Sequence, residues 1–384
     1  MRIHYLSASR VISDRANAVH VVRMSAALSS LGHDVTLHAY QGGGTDREVF
    51  DYFGVSSTFE LRRYARSKRP DAFIMHRLHK LGMPTRSLMR YLQGRQLVRP
   101  KTHMDRDGIF FARNAEWLLA CLDRGSRFIF ESHKPARDVQ SRWIHGRLFG
   151  HPGFLGLVVI TQPLRDLYRE MFPAIPPDRI VVKADGADEV DSSLLTATAN
   201  ARFQVGYVGH LYEGRGGELI VALARTLPEA DFHLVGGRSE DLARLSSLRP
   251  PENLFLHGHK PPAILSSLYP KFDVLLAPYQ RRVSVGGSAQ ETSAYMSPLK
   301  VFEYMSWAKP IVASDLPVLR EVLVQGCNAL LVDPEDVRRW ETALRRLMAN
   351  RKLRDGLART AGQLFRERYT WKARARDVLS QLVH

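Results

Sequence analysis

Apolar positions along the chain fall into two series of short strand and helix patterns. In the first series, residues 2–8 (RIHYLSA) form an apolar strand pattern, followed by a loop that holds Asp14 and Asn17. Residues 18–31 place Val21, Met24, Leu28 and Leu31 at helical spacing. Gly32 stops that helix, and residues 33–40 (HDVTLHAY) read as the next strand. A strand, a helix and a strand in this order call for a parallel sheet covered by helices. Later strands of the series are expected at 71–76, 127–132 and 156–161.

A second series begins near residue 203. Residues 203–209 (FQVGYVG) read as a strand, then a Gly-rich turn, then a helix over about 217–227. Runs at 231–237, 253–259, 273–279, 310–315 and 329–333 read as further buried strands separated by helices, with Pro310 suiting a strand start. Between the series, residues 184–202 are acidic, rich in Ser, Thr and Ala, and weakly patterned; they are expected to be the interdomain linker. The fold class is therefore α/β. Two doubly wound domains, 1–190 and 203–365, are expected, with a cleft between them. Residues 335–384 read as Arg-rich helices. The last, 366–384, places Trp371, Ala375, Val378 and Leu382 on one face, and packs either on the N-terminal domain or on its own. The two series are one type of unit used twice, not a short repeat.

Composition adds bounds. A chain of 384 residues suffices for about two domains of roughly 150 residues. Hydrophobic residues at 45% and charged residues at 24% exclude a mainly disordered chain. The balance of 55 Lys+Arg against 39 Asp+Glu gives +16, which favours an anionic partner. That charge is uneven. Residues 61–106 hold 13 basic and 2 acidic side chains, and within 76–101 the cations interleave with Leu78, Leu81, Met83, Leu88, Met89, Tyr91, Leu92 and Leu97. This pattern suits either an interfacial helix on anionic lipid or a solvated basic face. No nucleic-acid-binding motif is recognised, so nucleic acid is not expected as a partner. The two cysteines, Cys121 and Cys327, stand in no metal spacing and argue against a disulfide scaffold. The first ten residues lack a signal core, and the apolar run near 153–160 is far short of the ~20 residues a spanning helix needs. A cytoplasmic place, peripheral on the inner membrane face, is expected.

Candidate chemistry concentrates in 297–315 (SPLKVFEYMSWAKPIVASD). Ser297 is a good N-cap and Pro298 fits the first helical position, so a helix is expected from about Pro298. Its free N–H groups and positive dipole end make an anion site. Lys300 in the first turn is badly placed for the dipole but well placed for a phosphate. Glu303 shares its face, where a carboxylate can accept two hydrogen bonds from a ribose diol. The plainer reading is an i,i+3 surface pair worth ~0.3 kcal/mol. Leu299, Phe302 and Met305 are expected to face the core.

The preceding loop, 280–296, follows a strand end, where α/β domains bind ligands; it reads as functional or as a surface insertion. The turn in 206–217 (GYVGHLYEGRGG) can cradle a phosphate with Arg215 as the cation, or use glycine for geometry alone. Its spacing is not GxGxxG and no GxxxxGK[ST] occurs, which counts against a dehydrogenase and a P-loop ATPase. His133 stands at the end of the strand 127–132, as a structural histidine or a site residue, and Glu131 is expected to face the opposite side. Asp14, Asn17 and His20 are weaker candidates for acceptor contacts.

Residues 16–37, 130–133, 158–161, 181–188, 205–217, 232–237 and above all 297–323 carry a resemblance, in order, over nearly the whole chain. The chain is similar to retaining nucleotide-sugar glycosyltransferases of the GT-B fold, in the group-1 superfamily. The resemblance implies two Rossmann-like domains, with the C-terminal one holding a UDP- or GDP-sugar. Arg215 matches the family's basic position before a glycine, with Arg for Lys, and would hold the diphosphate beside Gly209 and His210. Glu303 matches the second acid of the family's E-x7-E motif and would bind the ribose. The backbone around Ser297, Pro298 and Leu299 would meet the phosphate or sugar, and the turn at Gly258 and His259 would lie by the base. His133 matches a histidine that touches the donor sugar.

Two positions depart from the family pattern. Tyr295 stands at the first acid of the motif, and His210 at a usual arginine, which leaves Lys300 to compensate. The implied reaction is transfer of a sugar, with retention and without a metal or other cofactor, to a lipid, polysaccharide or small-molecule acceptor. His133, Arg215 and Lys300 would carry the catalysis. Alternatives are a non-catalytic nucleotide-sugar or anion-binding protein, and a sugar-nucleotide epimerase of similar architecture.

Overall fold

The computed structural model describes residues 1–13, 16–65, 91, 108–195, 200–260, 262–283 and 293–383. The strand expected at 71–76, the candidate Asp14, nearly all of the basic block 61–106 and the middle of the loop 280–296 lie outside these residues. The chain divides into two units. The first holds Met1–Ile160, Leu164–Lys183 and Arg374–His384, and the second holds Thr161–Pro163 and Ala184–Ala373.

The first unit is built on strands β1 (Arg2–Val11), β2 (Asp34–Gln41), β3 (Glu60–Tyr64), β4 (Ile109–Ala112), β5 (Arg127–Ser132), β6 (Phe154–Val159) and β7 (Ile180–Val182). All pair in parallel in the order β3-β2-β1-β4-β5-β6-β7. Helices α1 (Ala16–Ser30), α2 (Asp46–Phe53), α3 (Ala115–Cys121), α4 (Val139–Phe149) and α5 (Gln162–Met171) connect them. A parallel sheet is buried on both faces, so its strands read as continuous apolar runs. In β1 the run Ile3–Leu6 is buried throughout, including His4. A polar row crosses the sheet: His4 Nδ1 lies 3.3 Å from His38 Nε2, and His38 Nδ1 lies 2.8 Å from the Tyr64 hydroxyl. Burial, with His4 and Arg62 adding to it, pushes His38 down to about 3, so that imidazole stays neutral.

The second unit has strands β8 (Phe203–Val208), β9 (Ala230–Val235), β10 (Leu254–Gly258), β11 (Val274–Ala277), β12 (Ile311–Ser314) and β13 (Leu330–Val332). They are again parallel, in the order β10-β9-β8-β11-β12-β13. Its helices are α6 (Gly217–Thr226), α7 (Ser239–Ser247), α8 (Pro262–Leu268), α9 (Leu299–Ser306), α10 (Pro317–Arg320), α11 (Val337–Ala349) and α12 (Arg351–Arg368). The period of two along β11 splits the core. Leu275 and Ala277 join Phe302, Met305 and Phe365 on one side of the sheet. Val274 and Leu276 join Ile220, Trp340 and Leu344 on the other. Helix α13 (Trp371–Leu382) ends the chain, and its Arg374–Leu382 part belongs to the first unit. The face expected from its spacing, Trp371, Ala375, Val378 and Leu382, is buried.

The linker expectation needs a correction. Its first residues are built into the second unit: Ala187 is buried, donates to Tyr369 O at 3.0 Å and accepts from Trp371 N–H at 3.3 Å. An acidic, weakly patterned stretch is thus tied down by backbone pairing that has no side-chain signature.

Candidate functional site

In the second unit the strand order reverses between β8 and β11, the position where doubly wound sheets bind ligands at their strand ends. The segments following these two strands pack on each other. Gly214 and Gly216 both have positive φ, 82° and 83°. A Cβ on Gly214 would lie 2.0 Å from Arg282 O, and one on Gly216 would lie 2.2 Å from Pro278 O. Only glycine permits this approach. Gln280 N–H seals it by donating to Gly214 O at 2.9 Å. Arg215 sits between the two glycines, and its guanidinium lies 5.2 Å from the centroid of the buried Tyr279 ring. Arg215 Nε is buried and has no hydrogen-bond partner among the described residues. Burial raises the Tyr279 phenol, with Arg215 opposing it, so that side chain stays neutral at physiological pH.

Helix α9 follows β11 and the loop after it. Ser297 does not cap it: Pro298 is the N-cap residue, no side chain caps the helix, and Ser297 Oγ instead accepts from Asp185 N–H at 2.9 Å. The helix therefore starts at Leu299, and its first-turn N–H groups are not taken by a cap. Phe302 and Met305 are buried as expected, whereas Leu299 is only half-buried. Lys300 Nζ donates to Glu303 Oε2 at 2.7 Å, with about a third of each side chain exposed, 28% and 31%. The plain i,i+3 pair is thus present, and a second donor joins it. The Tyr269 hydroxyl reaches the same Oε2 at 2.9 Å. Burial first, and the Glu303 carboxylate second, raise Tyr269 well above its usual range, so it remains a neutral donor. Oε1 takes neither bond. Gly209 directly follows β8, with Lys300 Cγ at 3.6 Å from where its Cβ would be.

The other second-unit candidates are placed by their own partners. His210 stacks on Tyr212, centroids 4.9 Å apart, and its carbonyl accepts from the Tyr207 hydroxyl at 2.5 Å. Gly258 has φ +64° and accepts from Gly236 N–H at 2.8 Å; His259 after it is exposed. Tyr295 is buried at 1% exposure, and its carbonyl accepts from the Thr161 hydroxyl at 3.1 Å.

In the first unit, His133 is part of a buried ionic cluster. Its Nε2 lies 2.5 Å from Glu131 Oε1. The expectation that Glu131 faces away is wrong, because residues two apart on a strand share a face. The same Oε1 lies 2.9 Å from His20 Nε2 and 3.0 Å from Arg374 Nη2. His20 and His133 meet edge to face at 4.9 Å. Burial would raise the Glu131 carboxyl, but Arg374, then His20 and His133, outweigh it and hold the group well below its usual range. His20 is buried in this cluster, while Asn17 is exposed and its amide donates to Ser9 Oγ.

Spacing gave no signal for Arg374, 243 residues from Glu131, nor for Tyr269 and Tyr279. Buried aromatics beside candidate charges were the only clue. The sequence also contains Asp105-Arg106-Asp107, the spacing of a paired carboxylate ligand, outside the described residues.

Residues 202–350 match the family model for glycosyl transferases group 1. A D-inositol 3-phosphate glycosyltransferase of Corynebacterium urealyticum is 28% identical over 228 residues, 52% of this chain and 50% of that protein. The matched stretch thus spans about half the length of that curated relative. A glycosyltransferase from Rickettsia africae superposes with a TM-score of 0.71 at 13% identity, over 99% of this chain and 97% of that one. Anabaena HepE, solved in complex with UDP and glucose, gives 0.69 at 13% identity, over 99% and 98%. The chain has the GT-B fold. The stretch that matches group 1 glycosyl transferases lies within its second unit.

Proposed function

We propose that this protein is a glycosyltransferase that moves a sugar from a UDP- or GDP-sugar to an acceptor, with retention of configuration and without a metal. The observations that support it lie in the segments that follow β8 and β11: Arg215 over the buried Tyr279, the Lys300–Glu303 pair with Lys300 Cγ 3.6 Å from where a Cβ on Gly209 would be, and the uncapped start of α9. A diphosphate there meets two cations and free N–H groups, each charge-assisted bond contributing roughly 1.5–3 kcal/mol. Lys300 then exchanges Glu303 for the phosphate, and the Glu303 carboxylate, still held by Tyr269, accepts the ribose hydroxyls. Gly209, His210, Gly258 and His259 line the nucleotide side, and the backbone at Ser297–Leu299 the phosphate side.

In the reaction, the bond from the anomeric carbon to the diphosphate oxygen breaks and one to the acceptor oxygen forms. The acceptor proton passes to the leaving phosphate, so no side-chain base is required. His133, held by Glu131, is the first unit's candidate for contact with a sugar. The acceptor is a lipid, a polysaccharide or a small molecule. The Corynebacterium relative is named for a phosphorylated cyclitol, and such an anion suits a chain of net charge +16. The block 61–106 is proposed to meet an anionic membrane surface.

Tyr295 at the position of the first motif acid favours one other reading, a binder without turnover. Incubation with a panel of UDP- and GDP-sugars, with crude lipid and glycan acceptors and with inositol phosphate, separates the two. Release of nucleotide that is abolished by Lys300→Ala or Glu303→Ala is expected. Binding without cleavage of any donor would overturn the enzyme reading.

A further inference from the structure

Helix α4 (Val139–Phe149) buries Ile144, His145 and Leu148 and leaves its opposite stripe uncovered. Val139, Arg142, Trp143, Gly146 and Arg147 are exposed at i, i+3, i+4, i+7 and i+8, a single helical face. Val139 at 85% and Trp143 at 60% are the two most exposed large hydrophobic residues among those described. They lie one turn apart. Arg147 reaches over the Trp143 ring, 5.8 Å from its centroid. Lys134 and Arg137, before the helix, are exposed too. The one acid of the stretch, Asp138, is engaged as the N-cap, accepting from Ser141 N–H at 2.8 Å and Ser141 Oγ at 2.6 Å.

We infer that this face of α4 docks on an anionic lipid bilayer, with Trp143 and Val139 at headgroup depth and Arg142, Arg147, Arg137 and Lys134 on lipid phosphates. Two apolar side chains ringed by four cations fall far short of the ~800 Å² per partner of a stable protein interface. They match the pattern of an interfacial helix, apolar residues below and basic residues beside them. Exposed tryptophan favours the headgroup region because its ring is amphipathic. The helix is fixed from behind by His145, whose Nδ1 lies 3.2 Å from the buried Tyr168 hydroxyl. No helix among the described residues is long and apolar enough to cross a membrane. The inference stands apart from the donor site and from the block 61–106.

The chain's own tryptophans supply the probe. Of the five, Trp117, Trp307, Trp340 and Trp371 are buried, at 7% exposure or less, and only Trp143 is open. Full-length protein is mixed with phosphatidylcholine vesicles with and without about 30% phosphatidylglycerol, with brominated chains as quencher. Quenching and a blue shift with anionic vesicles, reversed by high salt, are expected. Val139→Ser/Trp143→Ser should weaken vesicle flotation about tenfold, and Arg142→Gln/Arg147→Gln at least as much, at unchanged melting temperature. Three results would overturn the inference: no binding to either vesicle, binding that leaves Trp143 open to acrylamide, or protection of Trp143 by self-association without lipid.

Discussion

Replacing Glu131 with Gln removes the negative charge from the buried cluster of the first unit. Glu131 is 1% exposed and Arg374 2%, and they are joined at 3.0 Å. Gln keeps the shape but leaves the guanidinium without its counter-charge. Removing one partner of a buried pair costs about 3–5 kcal/mol. Arg374 retains Lys183 O at 3.3 Å and Met24 Sδ at 3.6 Å, which places the cost near the lower end of that range. For a unit of this size, about 3 kcal/mol lowers the melting temperature by roughly 6–12 °C. The sign with pH follows from the depressed Glu131 group. Its stabilisation is complete above the unfolded value near 4.5 and is lost as pH falls through the lower folded value. Circular-dichroism melting from pH 8 to pH 3 should show a constant gap between wild type and variant down to about pH 4.5, narrowing below it. Glu131→Gln/Arg374→Met should recover much of the loss, because no charge is then stranded. A gap under about 1 kcal/mol at pH 7, or one that widens in acid, would refute the reasoning.

Other outcomes follow from the same geometry. Gly216→Ala places a Cβ 2.2 Å from Pro278 O at a φ of +83°, so a loss of about 2 kcal/mol or more is expected in thermal unfolding of the second unit. Arg215→Lys should retain nucleotide binding within about tenfold while Arg215→Ala loses it, since a point charge suffices for a phosphate; equal losses by calorimetry would count against a diphosphate role. Donor turnover should survive exhaustive chelation. Loss on chelation with rescue by a divalent ion would reassign the leaving-group role, with Asp105 and Asp107 as the residues to substitute.

Much of this architecture was legible in the amino-acid pattern. The strands expected at 127–132 and 203–209 and the helix ending before Gly32 coincide closely with the structure because parallel strands are buried on both faces and helices carry a 3.6 period. β3 was missed because ELRRY is a polar edge strand; β4 and β7 were missed although β11, β12 and β13 are as short and were anticipated. At the site, Lys300, Glu303 and Arg215 are candidates from helix-start and glycine-turn chemistry; the structure adds that Lys300 pairs with Glu303 and that Arg215 lies over Tyr279. Ser297 was misassigned because a good capping residue had a distant backbone donor, Asp185, which no local rule reveals. Glu131 and Arg374 meet through the tertiary fold alone.

The most direct test of the donor site is titration calorimetry of the full-length protein with UDP and GDP. The site described here predicts that one of them binds with about 1:1 stoichiometry and that Lys300→Ala and Arg215→Ala each weaken it about tenfold or more, near the worth of a charge-assisted bond. Failure of both nucleotides to bind, or binding indifferent to both substitutions, would contradict it.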